Sequence, residues 1–185
     1  VSTESATPAP APMDLKRVTT EMHELEDRLQ LVGELESGGP VVFWLTQRLV
    51  KRLVPHLLSW LQPAATGGVT AAAPLPDYDT DAIQSFAQQA AIAQLPEQPP
   101  VQAAQQDSTL LIDAIDVART PEIIALTFKV GELKATLLMA QQPLRQWLAI
   151  LHDQCRKGEW ALDIWPDWII DSAPSESQQV RATVH

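Results

Sequence analysis

LKRVTTEMHELEDRLQLV, residues 15–32, decides the fold, because it fits two templates at once. Leu15, Val18, Met22, Leu25, Leu29 and Val32 are spaced by alternating threes and fours, the heptad spacing of a coiled-coil helix. Yet the stretch also holds the β-branched run Val18-Thr19-Thr20 and leads into RLQLVGELE. There Leu29, Leu31 and Leu35 share one side at period two, while Arg28, Gln30, Glu34 and Glu36 take the other. The alternation and the branched run favour two strands joined by a polar turn over residues 24–27. The alternative is an N-terminal coiled-coil helix over residues 13–32, followed by an α+β domain.

Working outward, Ser37-Gly38-Gly39 supplies the positive φ angles of a reversal, and PVVFWL, residues 40–45, is the returning strand. Thr46 is placed to cap a helix over residues 47–62. Leu49, Val50, Leu53, Val54, Leu57, Trp60 and Leu61 form its apolar face, with Arg48, Lys51, Arg52, Ser59 and Gln62 opposite. Pro55 removes a backbone donor inside it, so a kink or a break into two short helices is expected.

The same order of elements then recurs. TLLIDAIDVA, residues 109–118, is a strand, Arg119-Thr120-Pro121-Glu122 turns the chain, and IIALTFKV, residues 123–130, alternates Ile124, Leu126 and Phe128 with Ala125, Thr127 and Lys129. Gly131-Glu132 reverses into LKATLLMA, residues 133–140. A helix over residues 142–157 follows, with Pro143 in its first turn, an apolar stripe of Leu144, Trp147, Leu148, Leu151 and Cys155, and Arg156 and Lys157 at its carboxyl end. Val32-Gly33-Glu34-Leu35 echoes Val130-Gly131-Glu132-Leu133, a match short enough to arise by chance; the element order is the stronger sign of a repeat.

The expected class is therefore α+β: antiparallel sheet, single or double, from two βββα units, covered by the amphipathic helices, with a small Ala-rich helix inserted between them. That inserted helix has Asp79 or Thr80 as cap and Ile83, Phe86, Ala87 and Ala90 on the face that docks lightly. Residues 62–77 and 96–108 lack regular apolar spacing and are expected to be mobile connectors; residues 1–13 and 172–185 are expected to be disordered tails, leaving residues 14–171 as a single domain. This inventory of strands, an inserted helical pair, more strands and a final helix resembles the globular head of the end-joining DNA-repair scaffold proteins, a likeness of element order that implies a fold class only.

Acidic residues number 23 against 13 basic, a net charge of −10, which argues against a protein that coats nucleic acid. No stretch approaches the roughly twenty apolar residues of a membrane-spanning helix, and the amino terminus lacks the apolar core of a secretory signal. One cysteine excludes a disulfide framework within the chain and fits a cytoplasmic location.

Catalytic motifs are missing: there is no Gly-rich phosphate loop, no G-x-S-x-G and no H-E-x-x-H. His152 and Cys155, three apart on the last helix, suit a nucleophile and its base or two metal ligands. Cys155 lies in the apolar stripe, which favours a buried, inert thiol. Asp113 and Asp116 fall on opposite faces of a strand, and Pro166 interrupts any helix that would align Asp163, Asp167 and Asp171. Two contact surfaces remain. Arg48, Lys51, Arg52 and His56 make a basic helix face, ordinarily a solvated one and otherwise a docking surface for an acidic partner. Trp160, Trp165 and Trp168 close the core or, with Trp165 and Trp168 exposed, form a hot spot for another protein. The expected function is a non-enzymatic protein-interaction module, an accessory, adaptor or assembly factor, with no cofactor or metal. A protein is the expected partner and a homodimer is allowed. The alternatives are a binder of a small apolar ligand in an internal pocket and an enzyme using His152 and Cys155.

Overall fold

The computed structural model describes residues 12–62, 77–103, 108–161, 163–172 and 183–184. Met13–His23 is a strand, β1, and Arg28–Leu35 is its antiparallel partner, β2. A 3-10 turn, Glu24–Glu26, joins them, and Asp27 closes it at a left-handed φ of 47°. The coiled-coil alternative for residues 13–32 is thereby overturned. Its seam does not hold together: Leu25 is 103% exposed in the turn, while Thr19 and Thr20, off the seam, are buried opposite Val32 and Leu31. The β-branched run outweighs the heptad spacing because it finds a hairpin partner close in sequence.

β3 (Pro40–Leu45) returns beside β2, with Gly38 and Gly39 of the turn at φ 90° and 88°. α1 (Gln47–Leu61) follows and continues through Pro55, whose ring is exposed. Thr46 does not cap it as expected; its hydroxyl is buried without a partner, while its carbonyl accepts from the amides of Leu49 and Val50. After α2 (Asp77–Ala93) come the short β4 (Thr109–Leu111), then β5 (Ala114–Arg119), β6 (Ile123–Val130) and β7 (Leu133–Ala140). α3 (Gln141–Lys157), a single-turn α4 (Asp167–Ile170) and the two-residue β8 (Thr183–Val184) complete the described chain.

The molecule is α+β, but the sheet is mixed where antiparallel pairing was expected. Its strand order is β4-β3-β2-β1-β7-β6-β5, with β8 added to β1. Hairpin neighbours are antiparallel, whereas β1 meets β7 in parallel, Met13 opposite Ala135, and β3 meets β4 in parallel, Val42 opposite Thr109. Hairpins satisfy only one edge of an opening strand; the other edge falls to a strand distant in sequence.

The strand expected over residues 109–118 breaks at Ile112 and Asp113. The Ile112 amide donates to Trp44 O at 3.0 Å and the Asp113 amide donates to Lys129 O at 3.0 Å. Adjacent residues thus hold β3 and β6, which lie toward opposite ends of the strand order, and the sheet closes into a barrel. Phe43 of β3 and Phe128 of β6 meet across its interior with ring centroids 6.1 Å apart.

The four-letter echo does not mark matching positions. Gly33 lies within β2, where a Cβ would approach Leu15 Cδ2 to 2.7 Å; Gly131 lies in the β6–β7 turn at φ 55°. Around the barrel, α1 buries Leu49, Val50, Leu53, Val54, Leu57 and Leu61. α3 is buried on nearly every side: Leu144, Leu148 and Leu151 join the core, the indole of Trp147 donates to Thr20 Oγ1 at 3.0 Å, and α2 and α4 pack on the same helix.

Candidate interaction surface

The exposed stripe of α1 carries three cations within five residues, Arg48, Lys51 and Arg52. Arg48, Lys51, Arg52, Pro55, His56 and Ser59 are all exposed, spaced by threes and fours, with the apolar residues of the helix turned inward. No acidic residue occurs in α1, and neither Arg48, Lys51 nor Arg52 makes an ion pair among the described residues. The described cations that do pair are elsewhere, such as Arg17 with Glu34, whose carboxyl is held below the usual range first by that hydrogen bond. Three cations that make no ion pair among the described residues, on a chain of net charge −10, concentrate positive potential on one face.

Trp165 and Trp168 are not a surface. Both are buried, at 5% and 8% exposure, which removes them as contact groups for a partner. The segment after α3 folds back over that helix: Trp165 meets the His152 ring edge-on at 5.3 Å, and the Arg145 guanidinium stands 5.5 Å above the Trp168 ring. Trp160 reaches the β1–β2 turn, where its indole donates to Asp27 Oδ1. Large indoles gain more by burial than the same positions gain by exposure.

His152 and Cys155 share a side of α3 but not a site. His152 is 2% exposed with Nε2 unpartnered, and its pKa is lowered, chiefly by burial and in part by Arg156, with Asp153 opposing. Burial pushes the Cys155 thiol up to about 12, so little thiolate forms near neutrality. Asp153, the neighbouring acid, is tied to Arg156 and Lys157 at 3.0 and 2.9 Å. Asp113 and Asp116 are also structural: Asp113 accepts from the Gly131 amide at 2.7 Å, and Asp116 pairs with Lys129 across β5 and β6. Among the described residues, no group of three or more His, Cys, Asp or Glu side chains is placed to hold a metal.

α2 reverses the expected face. Ile83 and Phe86 are 57% and 77% exposed, whereas Gln84, Gln88 and Ala91 are buried against its neighbours. The amides answer main-chain carbonyls: Gln84 Nε2 donates to Leu61 O at 3.1 Å, Gln88 Nε2 to Arg145 O at 2.8 Å, and Gln146 Nε2 of α3 to Ala91 O at 2.8 Å. Buried Arg145, absent from the sequence-based candidates, donates to Gln84 Oε1 and links this interface to Trp168.

A groove of about 380 Å³ lies on the outer face of β1 and β2, lined by Thr19, Glu21, Gln30 and Val32 and roofed by residues 100–103. It is open to solvent and lined by polar and apolar groups alike. Residues 96–103, expected to belong to a mobile connector, are held over β1, Arg17 donating to Pro99 O at 3.0 Å and the Val101 amide to Thr19 Oγ1 at 2.9 Å. The rest of the expected connectors, residues 63–76 and 104–107, lies outside the described residues, as do residues 1–11 and most of the carboxyl-terminal tail. No described helix is long and apolar enough to cross a membrane. Comparison with protein-family models, with curated proteins and with solved structures found no match.

Proposed function

We propose that this chain is a non-enzymatic protein-interaction module whose docking surface is the basic face of α1. The observation that carries the reading is the stripe of Arg48, Lys51 and Arg52, exposed and without ion pairs among the described residues on an acidic chain. An acidic protein segment suits it better than nucleic acid, because the overall charge of −10 repels a polyanion beyond the stripe. His56 extends the face by one turn. The burial and raised pKa of Cys155 support a thiol that packs rather than reacts, in keeping with a role as adaptor or assembly factor. A single free cysteine suits a cytoplasmic setting.

Affinity capture of the tagged chain from its native cells tests this, run beside the variant Arg48→Glu, Lys51→Glu, Arg52→Glu. A stoichiometric protein held by the parent and lost by the folded variant is the expected result. Identical captures by both proteins, or a partner whose retention ignores added salt, would sink the reading, since contacts between exposed charges weaken as ionic strength rises.

A further inference from the structure

We propose that Arg145 is the receptor for a small monocarboxylate, bound at the junction of α2, α3 and α4 with α2 as its cover. Arg145 is 7% exposed, and every other lysine or arginine among the described residues is exposed or half-buried. None of the described acids pairs with it. Asp153, the buried acid further along α3, is the contrast, because two cations answer it at 3.0 and 2.9 Å. The Arg145 guanidinium is held by neutral groups instead. Nη2 donates to Gln84 Oε1, and Gln84 is fixed in that orientation because its Nε2 donates to Leu61 O at 3.1 Å. The Trp168 ring lies 5.5 Å beneath, a π face that takes up part of the charge.

Two buried polar atoms in this interface have no partner. One is Arg145 Nη1, a donor; the other is Gln88 Oε1, an acceptor one turn further along α2, whose own Nε2 is engaged by Arg145 O at 2.8 Å. Water molecules can answer these hydrogen bonds, but they leave the charge. Arginine stays protonated near neutrality even where burial lowers its pKa, as it does here, and a buried charge without a counter-ion is strongly destabilising. A carboxylate brings one negative charge and two acceptor oxygens that match the planar guanidinium. A dianion such as phosphate leaves a charge uncompensated in the same enclosed place. The cover can lift because α2 is seated by amides: of its described residues Gln84, Gln88 and Ala91 are buried, while Ile83 and Phe86 already face water. Lifting α2 takes from that helix one buried apolar side chain, an alanine, and amides that water can satisfy. The site shares no residue with the exposed stripe of α1 and does not depend on it.

The probe is sodium acetate, titrated into the full chain in place of sodium chloride at fixed ionic strength, with NMR of the Arg145 and Trp168 side-chain N–H groups and thermal unfolding as readouts. Saturation with a Kd of about 1 mM is expected for so small a ligand. At about ten times that concentration the unfolding equilibrium constant should fall about tenfold. Arg145→Met keeps a long apolar stem beside Trp168 but carries no charge, and it should lose both effects. Sodium phosphate in place of acetate should leave the Arg145 and Trp168 signals where chloride has them. Signals unmoved up to about 50 mM acetate, an equal response in Arg145→Met, or phosphate as effective as acetate overturns the proposal. If Arg145→Met fails to fold, the parent's shift changes decide it: centred on Arg145, Gln84 and Trp168 and specific to acetate they uphold the site, elsewhere or absent they remove it.

Discussion

His152 shows how much of this protein's chemistry is decided by packing around single side chains. Its imidazole is enclosed by Trp165 and the body of α3, and desolvation lowers its pKa from the ordinary 6.5. The unfolded chain therefore takes up a proton near pH 6.5 that the folded chain refuses. Stability is full above that value and falls as the pH drops through it. Glu34, whose lowered pKa works in the same direction, acts only below its own ordinary value of 4.5, so the two windows are distinct. The melting temperature should decline between pH 7 and pH 5.5, and the decline should be shallower in His152→Phe, which keeps an aromatic ring beside Trp165 but cannot be protonated. Parallel melting curves for the two proteins over that range would show that His152 gains its proton equally in both states. The sequence placed His152 and Cys155 on a common helix side correctly, since that follows from a spacing of three. It could not supply the cover of Trp165, which comes from a segment whose return path no local pattern specifies.

At the scale of elements, hairpins were legible and helix faces only partly so. β6 and β7 occupy the residues their alternation marked, because period two and a Gly-Glu reversal are local properties. The basic and apolar sides of α1 were legible for the same reason: a strong amphipathic stripe leaves one orientation that buries it. α2 has a weak stripe, and its orientation is set by glutamine amides that meet carbonyls of Leu61 and Arg145, groups far away in sequence. An apolar face of Ile83 and Phe86 is left in water as the consequence. Ile83→Ser and Phe86→Ser should change the unfolding free energy by no more than about 0.5 kcal/mol, the range of exposed substitutions. Gln88→Ala, by contrast, removes a buried hydrogen bond to Arg145 O and should cost about 0.5–1.5 kcal/mol, the net worth of such a bond. Urea unfolding of the three variants checks the orientation. A large loss for Phe86→Ser with none for Gln88→Ala would mean that α2 packs by its apolar face after all.

For the whole molecule, the decisive contacts are those between segments far apart in the chain. β1 and β7, and β3 and β4, meet in parallel across separations that no hairpin signal covers, and for that reason an antiparallel sheet was the natural expectation from sequence. Closure depends on one bend: Ile112 bonds to Trp44 and its neighbour Asp113 to Lys129, so a single strand turns from one end of the sheet to the other. A closed sheet exposes no long unpaired edge, and the remaining gap beside β1 is where β8 is received. Closure also has a kinetic signature. If Ile112 and Asp113 join both ends of the sheet, their amides can exchange with solvent only when the barrel opens as a unit, and they should be as protected as the amides of β2 and β6. Native-state hydrogen exchange followed by NMR measures this directly. Exchange at Ile112 and Asp113 faster than in β2 and β6 by more than about 100-fold, under conditions where β4 and β5 keep their own chemical shifts, would describe an open sheet whose ends only touch.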